Sequence, residues 1–198
     1  MADAFFSFFV LLPLLLLPLL YFLVRPRPIK IPITNRHVFI TGGSSGIGLA
    51  LAHRAAADGA RVSIMARSLQ KLEEAKNSVK HATGVEVGIF AADVRDYDAV
   101  KKAVDEAGPI DVLLLNHGVF YALELEKMEL SDVKFTIDVN LMGCLNMIKA
   151  ALPQMKDRKD TLPASIAFVS SQAGQVWNWK FLPINYVYYG HVWTNSLI

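Results

Sequence analysis

HVFITGGSSGIGLALAHRAAA, residues 37–57, decides the fold. Its first six residues, HVFITG, are β-branched, aromatic or small and read as a strand. The strand runs without a linker into Thr41-Gly42-Gly43-Ser44-Ser45-Gly46-Ile47-Gly48, and an alanine- and leucine-rich helix over 46–58 follows. Glycines let a backbone turn tightly and approach a bulky anion, and a helix N-terminus supplies unpaired N–H groups and a favourable dipole. Strand, glycine loop and helix in this order predict a dinucleotide pyrophosphate site built from Gly42, Ser44, Ser45, Gly46, Ile47 and Gly48. The competing reading is a purely structural turn in an α/β domain.

Outward from this unit the same alternation continues. RVSIMAR (61–67), VEVGIFAAD (85–93), IDVLLLNHG (110–118) and ASIAFVS (164–170) are apolar, β-rich runs. Between them lie amphipathic stretches, with Ser68, Asp96 and Ser131 placed as N-caps. The last of these helices is predicted to be long, reaching about Met155. Near-continuous apolar strands imply burial on both faces, and strict βα alternation implies a parallel sheet covered by helices. The expected fold is therefore α/β, a Rossmann-like doubly wound parallel sheet of five strands. The second strand ends in Arg67, with Lys71 one helical turn later. A basic pair at this place suits the 2′-phosphate of NADPH, where an acidic residue would suit the free ribose hydroxyl of NADH. The alternative is two solvated cations at a helix start, where they oppose the helix dipole.

Upstream, residues 5–24 read FFSFFVLLPLLLLPLLYFLV, twenty residues without a charge. That length suffices to cross a bilayer as a helix, and prolines such as Pro13 and Pro18 are tolerated there. Asp3 precedes the run and RPRPIK follows it. A cleaved signal peptide would carry the opposite flanks and a small-residue cleavage site. The expectation is an uncleaved N-terminal transmembrane helix in contact with the lipid bilayer, the basic flank holding the rest of the chain in the cytosol. The organisation predicted is anchor and basic linker at 1–30, a nucleotide-binding domain at 31–176, and a divergent tail at 177–198.

Composition excludes several classes. Hydrophobic residues make up 53% of 198 and charged residues 19%, with a mean hydropathy of +0.34, which is incompatible with a disordered chain. A single cysteine, Cys144, rules out a disulfide scaffold, and the histidines lack metal-ligand spacing, so no metal site is expected. The net charge of +2 is not concentrated into a basic patch, and no nucleic acid partner is expected. Composition says nothing of oligomeric state.

Further signatures follow the glycine loop: Asp93-Val94 after the third strand, Leu115-Asn116-His117-Gly118 after the fourth, Val139-Asn140-Leu141-Met142-Gly143 in the long helix, and Ser170-Ser171 after the fifth strand. With TGxxxGxG, these resemble the short-chain dehydrogenase/reductase family from about residue 36 to 176. The resemblance implies that Asp93 and Val94 meet the adenine and that Asn116 and Gly118 flank its ribose. It further implies that Asn140 bends the helix and holds a relay water, and that Ser170 or Ser171 orients a substrate. Each has a plainer alternative: a strand cap for Asp93, a polar helix residue for Asn140, turn residues for the serines and a packed loop residue for His117. The anchor, the RPRPIK linker, FAADVRD (90–96), GPIDVLLLNHGVF (108–120) and VSSQAGQV (169–176) together resemble the anchored members of this family that serve sphingolipid synthesis. That resemblance implies NADPH as cofactor, a long-chain keto-sphingoid base as substrate and residence in the endoplasmic reticulum membrane.

The tail departs from the family. The resemblance calls for Tyr-x-x-x-Lys some 13–14 residues after the serine, whose cation lowers the tyrosine pKa for proton transfer. Residues 186, 188 and 189 are tyrosines, but Gly190, Val192 and Trp193 stand four positions on, and Lys180 precedes them all. Three tryptophans fall in 177–198 beside this one charge, a composition break that fits a shifted reading frame or retained intron. The resemblance implies an NADPH-dependent reductase of the keto-sphingoid ketone on an incomplete nucleotide-binding domain; the alternative, which the tail favours, is a truncated or aberrant, non-catalytic isoform that at most binds NADPH or partners. For the anchor, protease added outside intact microsomes is expected to digest the domain and leave a short protected N-terminal peptide. Protection of the whole domain would overturn the cytosolic orientation.

Overall fold

All five apolar runs that the sequence marks as strands form one parallel sheet in the computed structural model, which describes residues 2–24, 31–158 and 162–171. β1 (His37–Thr41), β2 (Arg61–Ala66), β3 (Gly88–Ala91), β4 (Val112–Leu115) and β5 (Ser165–Phe168) alternate with α2 (Gly46–Ala57), α3 (Leu69–Thr83), α4 (Tyr97–Ala107), α5 (Leu130–Ile137) and α6 (Gly143–Lys156). The order across the sheet is β3-β2-β1-β4-β5. The chain builds outward from β1 through β2 to β3, then returns to the other side of β1 for β4 and β5. The reversal lies between β1 and β4, and open α/β sheets bind ligands at the carboxyl ends of strands beside such a reversal.

Side-chain alternation divides the core into two layers. Val38 and Ile40 of β1, with Val62 and Ile64 of β2, face Ala52, Leu72 and Val79 of α2 and α3. Phe39, Met65, Leu113 and Leu115 point the other way, onto Val100 and Val104 of α4 and Met147 and Ala151 of α6. Both sheet faces are thus covered, which explains why the strands read as unbroken apolar runs.

Ser68 and Asp96 cap their helices as expected: the Ser68 hydroxyl accepts from the Lys71 N–H, and the Asp96 carboxylate from those of Asp98 and Ala99. The strands are shorter than their apolar runs, because the ladder stops short at one or both ends; β3 keeps only four of nine predicted residues, Gly88–Ala91. The long helix begins one residue before Ser131, with Glu129 at the N-cap making no side-chain bond. It is also not continuous: a π-helical turn at Asp138–Met142 separates α5 from α6. By length and composition Leu130–Lys156 would suffice to cross a membrane, but Val139, Cys144, Met147, Ala151 and Met155 bury it against the sheet.

Ala2–Val24 forms α1, a separate unit continuing through Pro13 and Pro18. The RPRPIK linker and the tail from 172 onward, with its predicted composition break, lie outside the described residues.

At the amino edge of the sheet two buried guanidinium groups, from Arg36 and Arg158, converge on Asp111, at 3.6 and 2.5 Å. The other Asp111 oxygen accepts the backbone N–H of His37. The His37 ring sits with Nδ1 2.7 Å from the Pro109 carbonyl oxygen and 2.6 Å from the Arg61 guanidinium, and with Nε2 2.8 Å from the Ser63 hydroxyl. Burial holds its pKa below the ordinary 6.5 despite the Pro109 carbonyl, and the Arg61 cation adds to the lowering. The unfolded chain therefore takes up a proton on this ring before the folded one does. The neutral ring's contribution is full above about pH 6.5 and is lost as pH falls through that value towards the folded pKa. His37→Gln is expected to flatten the fall of unfolding free energy as pH drops below about 6.5, read by denaturant titration. An unchanged slope would exclude His37 as its source.

Candidate functional site

One side chain organises the carboxyl edge at the reversal point. Thr41, the last residue of β1, is fully buried. Its hydroxyl oxygen accepts the backbone N–H of Asn116 at 3.0 Å and of His117 at 3.3 Å. Two lone pairs are thereby used, and the hydroxyl proton remains. His117 Nδ1 lies at 2.7 Å and the Leu114 carbonyl at 3.3 Å. The shorter contact makes Nδ1 the acceptor, which leaves the His117 proton on Nε2, 3.6 Å from the Cys144 sulfur. The Asn116 amide in turn donates to the Gly42 carbonyl at 3.2 Å. Burial pushes the Cys144 thiol up to about 12, so it stays protonated.

The glycines behave as the loop requires. Gly42 has φ of +65° and Gly46 of +54°. A β-carbon on Gly48 would stand 2.2 Å from the Gly42 carbonyl oxygen and 2.5 Å from the Asn116 amide nitrogen, and one on Gly43 would strike Ile64 at 2.6 Å. Only hydrogen at these places lets α2 begin directly against the β1–β4 junction.

Between the glycine loop, the end of β2 and the loops after β3 and β4 lies a cleft of about 690 Å³, within the range of small-molecule and cofactor sites. Gly42, Ser44, Ser45, Ile47, Arg67, Lys71, Asp93, Val94, Asn116 and Gly118 all line it. Arg67 and Lys71 line the cleft and make no ion pair among the described residues; the Arg67 charge acts across the cleft on the Asp93 carboxylate. The Asp93 carboxylate is gripped by the Arg95 guanidinium at 2.7–3.1 Å. Arg95 holds the Asp93 pKa below the usual carboxylate range, and burial opposes this only in part.

Other predicted residues stand elsewhere. Gly46 and Gly48 shape the loop without lining the cleft. Asn140 sits in the π-helical turn, 4% exposed. Its oxygen accepts the Val119 N–H at 2.8 Å and its amide donates to the Val119 carbonyl at 2.9 Å. Both polar ends are spent on clamping a cleft-lining residue. Ser170 and Ser171 follow β5 at the same carboxyl edge, exposed and outside the cleft lining. Sequence reasoning missed His117, Ser68, Met65 and Val139 as lining residues. The side chain of His117, adjacent to the predicted Asn116, was the one that a strand-end position could have flagged.

The profile of the short chain dehydrogenase family matches residues 36–183. The chain belongs to that family. It is 74% identical over 151 residues to "3-dehydrosphinganine reductase TSC10A" of Arabidopsis thaliana, covering 76% of this chain and 46% of the relative. It is 35% identical over 181 residues to a 3-dehydrosphinganine reductase of Danio rerio, covering 87% and 52%. This short chain dehydrogenase thus spans about half the length of the curated relatives it matches. Among solved structures it resembles L-sorbose reductase from Gluconobacter frateurii, complexed with NADPH and L-sorbose, at 26% identity and a TM-score of 0.74, covering 82% of this chain and 62% of that one. It also shares its fold with a short-chain dehydrogenase/reductase from Burkholderia phymatum in complex with NAD, at 24% identity and a TM-score of 0.75, covering 81% and 57%. Neighbours of this fold hold either nicotinamide nucleotide, so the fold alone does not choose between them.

Thr41→Val keeps the shape and removes the shared oxygen. Two backbone N–H groups at the switch point lose their partner, and an expected destabilisation of about 2 kcal/mol follows, read as a lowered denaturation midpoint with an unchanged slope. A loss below about 0.5 kcal/mol would show that the hydroxyl does not hold the junction.

Proposed function

We propose that this short chain dehydrogenase binds NADPH and carries the nucleotide half of a reductase for the ketone of a long-chain keto-sphingoid base. The observation that supports this best is the pairing of an intact glycine cradle with two cleft-lining cations, Arg67 and Lys71, at the place where an acidic residue would favour NADH. The names of its relatives support the substrate class.

The cradle fits a dinucleotide. Gly42 and Gly43 keep the loop free of side-chain bulk, and the α2 N-terminus presents unpaired N–H groups to a pyrophosphate. Arg67 would fork onto a 2′-phosphate with Lys71 adding a second charge. Asp93 and Val94 border the adenine end, and Asn116 and Gly118 the adjoining ribose. Asn140 acts through Val119, fixing the wall beyond that ribose. A nicotinamide nucleotide, when bound, supplies the hydride. Ser170 or Ser171, at the carboxyl end of β5, would orient the ketone, but a serine hydroxyl is a poor acid for the proton that the ketone oxygen needs.

A second reading, a chain that binds NADPH or partners without turnover, is favoured by the tail sequence: no tyrosine after Ser171 is followed four residues on by lysine. We further propose that α1 anchors the chain in the endoplasmic reticulum membrane with the domain in the cytosol. Its twenty uncharged residues and the basic triplet after them support this.

Calorimetry on the full chain in detergent is expected to give tighter binding of NADPH than of NADH, and Arg67→Glu to erase or reverse the preference; an unchanged preference would defeat the Arg67 assignment. With NADPH and 3-ketosphinganine, turnover is expected to rise by about 10²–10⁴ when a Tyr-x-x-x-Lys segment is restored. Comparable rates from the two proteins would overturn the non-catalytic reading.

A further inference from the structure

The segment that leaves the cleft after β4 is apolar where it meets solvent. Gly118 and Val119 line the cleft. The next residues cross the rim through a 3₁₀ turn at Leu125–Lys127 and enter α5 at Leu130. Along this short path Phe120 is 58% exposed, Leu123 44% and Leu130 82%. Scattered apolar residues on a surface are ordinary, but three within eleven positions of a rim that continues directly from a binding cleft mark a contact surface.

The charges on the same segment say what kind of contact. Glu124 pairs with Lys127 at 2.6 Å, which cancels the lysine. Glu126 and Glu129 make no ion pair among the described residues, and the Glu129 carboxylate is not used as a helix cap. The apolar rim is therefore set in net negative charge. Such a surface repels fatty acids, alkyl sulfates and anionic bilayer faces, and attracts an amphiphile whose polar end is an amine.

We infer that Phe120–Leu130 is the docking surface for a cationic long-chain amphiphile, its hydrocarbon chain lying on Phe120, Leu123 and Leu130 and its ammonium group facing Glu126 and Glu129. This deepens the proposed function and rests on it for naming the ligand: a keto-sphingoid base is a long alkyl chain whose ketone stands beside a primary amine.

The test uses the full chain in phosphatidylcholine vesicles and an eighteen-carbon primary amine with a mid-chain diazirine, the matching carboxylic acid serving as control. Photolabelled peptides are mapped by mass spectrometry, and NADPH binding is titrated in the same vesicles. The amine is expected to label 119–130 in clear preference to the acid. Glu126→Gln with Glu129→Gln should cut that preference about fivefold, the scale of two exposed charge pairs. Phe120→Ser with Leu123→Ser should lower labelling of the segment by the amine about tenfold. Equal labelling by amine and acid, indifference to both variant pairs, or labelling concentrated elsewhere would overturn the inference. So would preferential binding of the chain to phosphatidylserine vesicles through this segment. Failure to bind NADPH with the labelling pattern intact would remove the proposed function and leave the docking surface standing; normal NADPH binding without the pattern would do the reverse.

Discussion

A single buried hydroxyl carries the junction on which the site is built. Thr41 ends β1 and holds the two residues that follow β4. Those strands are separated by some seventy residues of chain, and nothing covalent keeps their carboxyl ends level. With Thr41 in place, Asn116 is delivered to the Gly42 carbonyl and His117 is turned towards Cys144. The glycine loop then has a fixed floor, and Gly48 can bring α2 to within hydrogen-only distance of it. Remove the hydroxyl and each of these contacts loses its reference point.

The fold was legible because its signals are periodic and local. Five apolar runs, each bounded by a cap or a glycine, leave few arrangements other than a parallel sheet wrapped on both sides. The strand boundaries were less legible, since an apolar run does not say where the ladder stops and the loop begins; VEVGIFAAD yields only Gly88–Ala91 as strand. The π-helical turn was legible only through the family resemblance, which implies a bend at Asn140. Asp138–Met142 has no residue that forbids a regular helix. The extra residue in that turn accompanies a tertiary demand, that the Asn140 amide meet both backbone groups of Val119.

The cleft was legible to the extent that its residues bind through backbone or fixed charge. Glycines, Arg67 and Lys71 sit where spacing from a strand end puts them. Asn140 was harder, because the same residue type serves equally as a reactive group and as a clamp, and only its partners distinguish the two. His117 was missed as a lining residue: its position was clear, but its significance lay in a contact with Thr41 from across the sheet. Cys144 drew attention as the chain's one thiol, yet burial makes it an inert packing group.

The strand order has a consequence for synthesis. A ribosome releases β1 first, and β2 and then β3 emerge to extend one side of it. β4 returns to the side of β1 still open, and β5 adds to β4. Each strand after β1 therefore meets an edge already delivered, and only β1 waits for partners encoded later. Domains assembled during translation are most exposed to misassociation while a pairing edge stands uncovered. In this sheet the second edge of its central strand stands uncovered only until about residue 115 has cleared the tunnel, so the junction at Thr41 closes well before the last strand arrives.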